Sequence, residues 1–214
     1  MGKNLIIFGP PGAGKGTQSD AIKDKFQVSH LSTGDMLREA IKNQTEIGKL
    51  ARQYTDGGKL VPDEVVIGIV KAKVESLGAG KGILFDGFPR TLAQAEALDK
   101  MLESLDRKID TVISLDVPDD SIVSRLTGRR MCTACNIIYH VSAKPPKKEG
   151  VCDQCGGGLI IRDDDNEGVI RNRLNTYHSQ TSPVLDYYRK KGVLMEIDGT
   201  GTPKETSDKI FARF

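Results

Sequence analysis

The run Gly9-Pro10-Pro11-Gly12-Ala13-Gly14-Lys15-Gly16-Thr17 has the residue types and the spacing to hold a chain of phosphates. Its glycines let the backbone turn N–H groups toward an anion, and the start of a following helix adds partial positive charge. Lys15 can then reach the β- and γ-phosphates as a mobile point charge. The flanks agree with this reading. Leu5-Ile6-Ile7-Phe8 before the loop is a short apolar run, and Ala21, Ile22 and Phe26 after it have helical spacing. One feature departs from the common pattern. Gly16 stands where many such loops carry a Mg2+-binding Ser or Thr, and the hydroxyl comes one place later, at Thr17.

A second constellation is made of thiols. Cys132-x2-Cys135 and Cys152-x2-Cys155 are the chain's only cysteines, with sixteen residues between the pairs, which is zinc-ribbon spacing. A two-residue gap lets both thiolates of a pair face one ion, and two pairs complete a tetrahedron. Four thiolates leave no open coordination position, so the expected role is structural. Zn2+ is the expected metal; iron suits the same cage. Disulfides are the competing use of these cysteines and are disfavoured in a reducing compartment. His140 lies between the pairs and could serve as a spare ligand, although a solvated histidine is the simpler reading. His30 and His178 have no motif around them.

Arginines form the third group. Arg38 follows Ser32-Thr33-Gly34-Asp35, Arg90 comes four residues after Asp86, and Arg129-Arg130 opens the cysteine segment. Arg125, Arg162, Arg171 and Arg173 complete the set. A guanidinium is always charged and grips phosphate oxygens bidentately, so converging arginines suit two polyphosphates brought face to face. Asp86 ends an apolar strand, where phosphate-loop proteins place the acid that steers Mg2+. Gln94 has two readings, because it could also complete a capping box with Thr91.

These groups need a scaffold. Gly82–Asp86, Thr111–Asp116 and Val193–Ile197 are further short apolar runs, as expected for strands buried on both faces of a parallel sheet. Pro62-Asp63-Glu64, Thr91, Pro118-Asp119-Asp120 and Thr202-Pro203-Lys204-Glu205 read as helix starts between and after them. The expectation is an α/β fold around a five-stranded parallel sheet. Residues 32–61, helical and poor in apolar residues, and residues 128–165 break the rhythm. Neither can form a core of its own, so both read as insertions over the ligand-binding edge of the sheet.

The 214 residues carry 31 Lys and Arg against 29 Asp and Glu, a formal net charge of +2, which gives no global field for nucleic acid or a membrane surface. Aromatic residues are 5% with no Trp, which argues against base-stacking surfaces. The start of the sequence shows no signal segment, and no apolar run approaches the ~20 residues of a membrane span, so a cytoplasmic protein is expected.

Taken together, these residues resemble an adenylate kinase of the long, zinc-containing bacterial type, over essentially the whole chain. The resemblance rests on the phosphate loop, Ser32-Thr33-Gly34-Asp35-Met36-Leu37-Arg38, Asp86-Gly87-Phe88-Pro89-Arg90-Thr91, Gly128-Arg129-Arg130, the four cysteines, and Arg162-Asp163-Asp164-Asp165 with Arg173. It implies reversible transfer between ATP and AMP giving two ADP, by a monomer. It assigns the ATP side to Gly12, Ala13, Gly14, Lys15, Gly16 and Thr17, with Arg125 against the adenine and Arg129 on the phosphates. It assigns the AMP side to Thr33, Arg38, Gly87, Arg90 and Gln94, with backbone at Gly58, Lys59, Leu60 and Val61 shaping the base pocket. Arg162 and Arg173 would clamp the transferring group, making Lys15, Arg90, Arg129, Arg162 and Arg173 the catalytic set, and Asp86 would hold Mg2+ through water. The Gly16-Thr17 order is normal in this family. The implied domains are a core of residues 1–31, 62–127 and 166–214, an AMP-binding insertion of 32–61 and a zinc-binding lid of 128–165.

Two rivals remain at this level. A kinase for UMP, CMP or GMP would use the same chemistry, and the resemblance disfavours it through Thr33 and the cysteine lid. A phosphate-loop switch or zinc-ribbon nucleic-acid binder would carry Asn-Lys-x-Asp, which is absent, or a basic ribbon. Here Tyr139, Lys144, Lys147 and Lys148 are offset by Glu149, Asp153, Asp163, Asp164 and Asp165.

Overall fold

Five parallel strands form the centre of the computed structural model, which describes residues 2–77 and 80–214. They are β1 (Asn4–Phe8), β2 (Ser29–Ser32), β3 (Ile83–Asp86), β4 (Thr111–Asp116) and β8 (Leu194–Asp198), in the order β2-β3-β1-β4-β8. The middle strand β1 is buried along its whole length, and its alternating residues face opposite layers. Ile6 and Phe8 join a core with α4 (Asp63–Ser76), α5 (Leu92–Glu103) and α8 (Pro183–Lys190). Leu5 and Ile7 join the other, with α1 (Lys15–Phe26), α6 (Asp119–Thr127), α7 (Glu167–Thr176) and α9 (Pro203–Phe211). Each fully buried Leu or Ile contributes about 1.5–3 kcal/mol, and these two layers hold nearly all of them.

The expected helix starts are where the caps are. Thr91 and Thr202 accept the N3 amide of α5 and α9, and Thr202 with Glu205 forms a full capping box. Pro62 and Pro118 precede acidic first turns. The fifth strand, β2, gave no apolar run, because at the sheet edge only Leu31 of Ser29–Ser32 is buried. Among the described residues no helix is long and apolar enough to cross a membrane.

The two irregular segments differ in kind. α2 (Thr33–Lys42) and α3 (Glu46–Thr55) pack on each other and on the first core, through Met36, Leu37, Ile41, Ala51 and Tyr54. Residues 128–165 carry a separate antiparallel sheet, β5 (Arg129–Cys132), β6 (Ile138–His140) and β7 (Leu159–Ile160), ordered β6-β5-β7. Its own buried cluster is only Cys132, Tyr139 and Cys152.

Candidate active site and metal centre

The loop from Gly9 to Gly14 turns at the C-terminal end of β1 and delivers Lys15 to the first turn of α1. Gly12 has φ +82°, and a Cβ there would lie 2.7 Å from Leu126, so the turn is closed to any side chain. Lys15 Nζ donates to the carbonyls of Gly9 (2.7 Å) and Pro10 (2.9 Å). Burial, together with the charges of Arg90, Arg173 and Arg129 and against the pull of Asp86, pushes Lys15 down to about 7. Gly16 and Thr17 are exposed on the outer side of the same turn.

A cleft opens beside this loop, lined among others by Gly9, Lys15, Gly58, Gly87, Arg90 and Arg173. Arg90 Nε donates to Gly87 O at 2.8 Å, and the Thr33 hydroxyl donates to the same carbonyl at 2.8 Å. That shared acceptor ties the insertion of residues 32–61 to the end of β3. Gly87 has φ +75°, and a Cβ would come 3.0 Å from both Arg90 and Thr33. Burial, with Arg173 alongside, lowers Arg90 to about 10. Burial, with Arg129 and Arg38 alongside, lowers Arg162 to about 10. A group of cations that depress one another is a site built for a polyanion.

Two carboxylates hold the arginines in place. Arg129 grips Asp165 through both oxygens, at 2.7 and 2.5 Å, with the Asp165 side chain fully buried. Arg173 pairs with Asp164 at 3.0 Å and with Asp165 at 3.5 Å. Burial alone would raise Asp164, but Arg173, Arg129, Arg38 and Arg162 outweigh it and hold its carboxyl below the usual range. Sequence reasoning passed over these two acids as binders of anything, although they lie two and three residues after Arg162 in the chain. Arg38 pairs with Asp35 at 2.5 Å, one turn earlier on α2. Two of the arginines stand apart. Arg125 donates to the carbonyls of Gly199 and Thr200 at 3.0 and 3.3 Å, and Arg171 pairs with Glu167 on an exposed helix face.

Asp86 ends β3 nearly buried, and its Oδ2 has two neighbours, Ser19 Oγ at 3.2 Å and His30 Nε2 at 3.3 Å. Its other oxygen has no hydrogen-bond partner among the described residues. One free carboxylate oxygen cannot form an all-protein cage for Mg2+, and it does suit an ion held mainly by phosphates and water. Neither Ser19 nor His30 stood in a motif. Both were hidden because their relation to Asp86 exists only across adjacent strands and the α1 layer.

Gln94 is 1% exposed and performs half of the expected capping box. Its N–H meets the Thr91 hydroxyl, but its side-chain oxygen accepts from the Arg90 amide at 2.8 Å. Gly58 and Leu60 line the cleft, Lys59 is exposed at its rim, and the Val61 side chain is turned into the core. Thr176 of α7 donates to Gly58 O at 3.2 Å and anchors this loop.

In the insertion of residues 128–165, the four Sγ atoms lie within 4.8 Å of one another, with Cys132–Cys155, Cys135–Cys152 and Cys135–Cys155 at 3.5, 3.6 and 3.4 Å. A tetrahedron of 2.3 Å metal–sulfur bonds has edges of about 3.8 Å, so the thiols fit a metal and are too far apart for disulfides. The Tyr139 hydroxyl, 3.5 Å from Cys152 Sγ, is the main cause of a fall in that thiol to about 6. His140 lies outside the cage. Its ring covers Gly128, and Nδ1 accepts the amides of Ser142 and Ala143 at 3.2 and 3.1 Å. His178 pairs with Asp119 in an exposed contact at 3.0 Å.

The adenylate kinase family model matches residues 7–193. Among curated relatives, an adenylate kinase of Archaeoglobus fulgidus is 55% identical over 92% of this chain and 91% of its own length. One of Caldicellulosiruptor bescii is 52% identical over 96% of each chain. One of Staphylococcus aureus (strain Mu50) is 53% identical over 96% of this chain and 94% of its own.

Proposed function

The chain belongs to the adenylate kinase family and transfers a phosphoryl group reversibly between ATP and AMP, and from that membership we infer how its residues divide the work. Gly12 to Thr17 cradle the ATP phosphates, with Lys15 leaving the Gly9 and Pro10 carbonyls to meet them. Thr33, Arg38 and Arg90 seat the AMP phosphate beside Gly87. Gln94 reads the base in the pocket shaped by the backbone of Gly58–Val61. Arg129, Arg162 and Arg173 neutralise the group in transit, and Arg125 covers the ATP base. The acceptor is a phosphate oxygen, already anionic near neutral pH, so no general base is needed. Alignment and charge neutralisation do the rest.

Mg2+ bound with ATP would neutralise phosphate charge, and Asp86 is the residue to orient its water shell, steadied by Ser19 and His30. Zn2+ in the four-cysteine cage would be structural, and its role is to give the lid (residues 128–165) a core; iron fits the same sulfur set. The lid and residues 32–61 close over the substrates and exclude water, which would otherwise hydrolyse ATP. All these residues come from one chain, which supports a monomer as the working unit. Free thiols in a metal cage suit the reducing cytoplasm.

The observation that carries this reading is the meeting of Lys15, from the phosphate loop, with Arg90 and Arg173 across one cleft. That arrangement offers two phosphate seats. The test is ADP formation from Mg·ATP with AMP, GMP, UMP and CMP in turn. AMP is expected to be preferred strongly. A better turnover with another monophosphate overturns the base assignment, and no turnover with any overturns the division of roles.

A further inference from the structure

Gln94 is held at both ends of its amide. Its Nε2 donates to Asp63 Oδ1 at 2.7 Å, and its Oε1 accepts from the Arg90 backbone amide at 2.8 Å. The partners leave no choice of orientation. A carboxylate only accepts, so the amide end facing Asp63 must be the NH2. A backbone N–H only donates, so the end facing Arg90 must be the carbonyl. Turning the amide over would set oxygen against oxygen on one side and N–H against N–H on the other, in a residue 1% exposed. Asp63 is itself fixed. It sits in the first turn of α4 and accepts the Thr91 hydroxyl on its other oxygen at 2.9 Å.

We propose that Asp63 is a specificity-determining residue, which acts by locking Gln94 in the one orientation that reads a 6-amino purine and rejects a 6-oxo purine. The inference rests on Gln94 being the base contact. After Asp63 and Arg90 are served, the Gln94 amide keeps one N–H to donate and one lone pair to accept with. The edge of adenine offers the complementary pair, an acceptor at N1 and an amino donor at C6. Guanine and hypoxanthine offer the reverse, N–H at N1 and a carbonyl at C6. A freely turning glutamine satisfies either edge. A locked one satisfies only one, and the wrong base leaves buried polar groups unpaired. Asp63 touches no substrate in this scheme; it is a positioning residue.

The test compares kcat/KM for AMP with that for IMP and GMP in the whole enzyme. Asp63→Asn preserves shape and replaces an obligate acceptor by an amide that can turn either end to Gln94, so the Arg90 N–H alone is left to set the orientation. The AMP:IMP ratio is expected to fall at least about tenfold, with KM for ATP unchanged. Thr91→Ala removes the α5 cap and one contact to Asp63 but leaves the Asp63–Gln94 bond, so the ratio should hold. An Asp63→Asn enzyme with an unchanged ratio overturns the proposal, and so does a Thr91→Ala enzyme that loses the ratio equally, since the effect is then a shift of α5. Gln94→Ala separates the two levels. If it keeps the wild-type ratio, the base-reading role of Gln94 fails and the Asp63 inference fails with it. If it loses the ratio while Asp63→Asn keeps it, only the role of Asp63 fails.

Discussion

Arg38 of one insertion and Arg129 of the other act on the charges of one cleft, yet the two insertions are held together by different forces. Residues 32–61 lend Met36, Leu37, Ile41, Ala51 and Tyr54 to the main apolar core, so their fold is underwritten by the sheet. Residues 128–165 share almost none of that core and bury Cys132, Tyr139 and Cys152 among themselves. About forty residues cannot bury enough apolar surface to order themselves, and a metal held by the four thiols would supply the missing free energy. The contrast teaches that an insertion can be composed independently of the scaffold if a local cross-link replaces the core. It also implies that the two sides should fail separately.

The largest effect expected is therefore metal removal. Structural zinc sites are worth about 10–16 kcal/mol in small finger peptides, far more than a forty-residue segment holds otherwise. Chelation, or Cys152→Ser, should unfold the lid while the sheet and α2–α3 remain, giving a low-temperature transition ahead of the main one and loss of turnover. Scanning calorimetry with amide exchange checks this. A chelated protein with unchanged melting and full protection in 128–165 would remove the basis of the comparison.

Next in size are losses in the cleft that both insertions serve. Lys15→Met and Arg90→Ala should each cost about 10²–10³ in turnover, the usual price of one preorganised donor to developing charge. Both insertions should keep their fold and the melting temperature should not fall, because neither side chain carries the packing of a layer. Near-wild-type turnover in either variant would show that the cleft's charge does not sit where the two sides meet.

A third variant breaks the insertion proposed to seat AMP, and that one alone. Gly48 lies on α3 against α2 so closely that a Cβ would fall 2.0 Å from the Ala40 carbonyl oxygen. Gly48→Ala must push the helices apart, at a cost of about 1–3 kcal/mol. KM for AMP should rise severalfold while KM for ATP and the metal content stay constant. Equal rises in both KM values would mean that the insertions are coupled rather than independent.

How far this was readable in the chain follows the same division. The phosphate loop, the thiol pairs and the caps at Thr91 and Thr202 are local patterns, so spacing alone exposes them. β2 was invisible as a strand because an edge position needs few apolar residues, and Ser29–Ser32 has one. The pairings Arg129–Asp165, Ser19–Asp86 and Asp63–Gln94 join residues 36, 67 and 31 positions apart. Only the packing of layers creates such neighbours. Arg125 and Arg171 looked equivalent to the cleft arginines by charge, and only their carbonyl and Glu167 partners set them apart.

The smallest effect concerns protons, which the ligands of the two regions should move in opposite directions. Loading four thiols with a divalent metal releases protons, since the thiolate is the ligand. The cleft does the reverse. Lys15 is pushed from 10.5 to about 7 by burial among arginines, so above pH 7 the free enzyme holds it largely neutral while an unfolded chain holds it charged. The sign for stability follows: the penalty is full below pH 7, where folding keeps the charge buried, and it fades as pH rises from 7 toward 10.5. An ATP polyphosphate beside the amine favours the charged form and draws a proton back. Titration calorimetry with a non-hydrolysable ATP analogue, in buffers of different ionisation enthalpy, should show proton uptake that is clearly larger at pH 8 than at pH 6. Subtracting the same titration of Lys15→Met removes the nucleotide's own protons. If that difference is flat across pH 6 to 8, Lys15 is charged before ATP arrives, and the cleft resembles the lid in needing no proton from solvent.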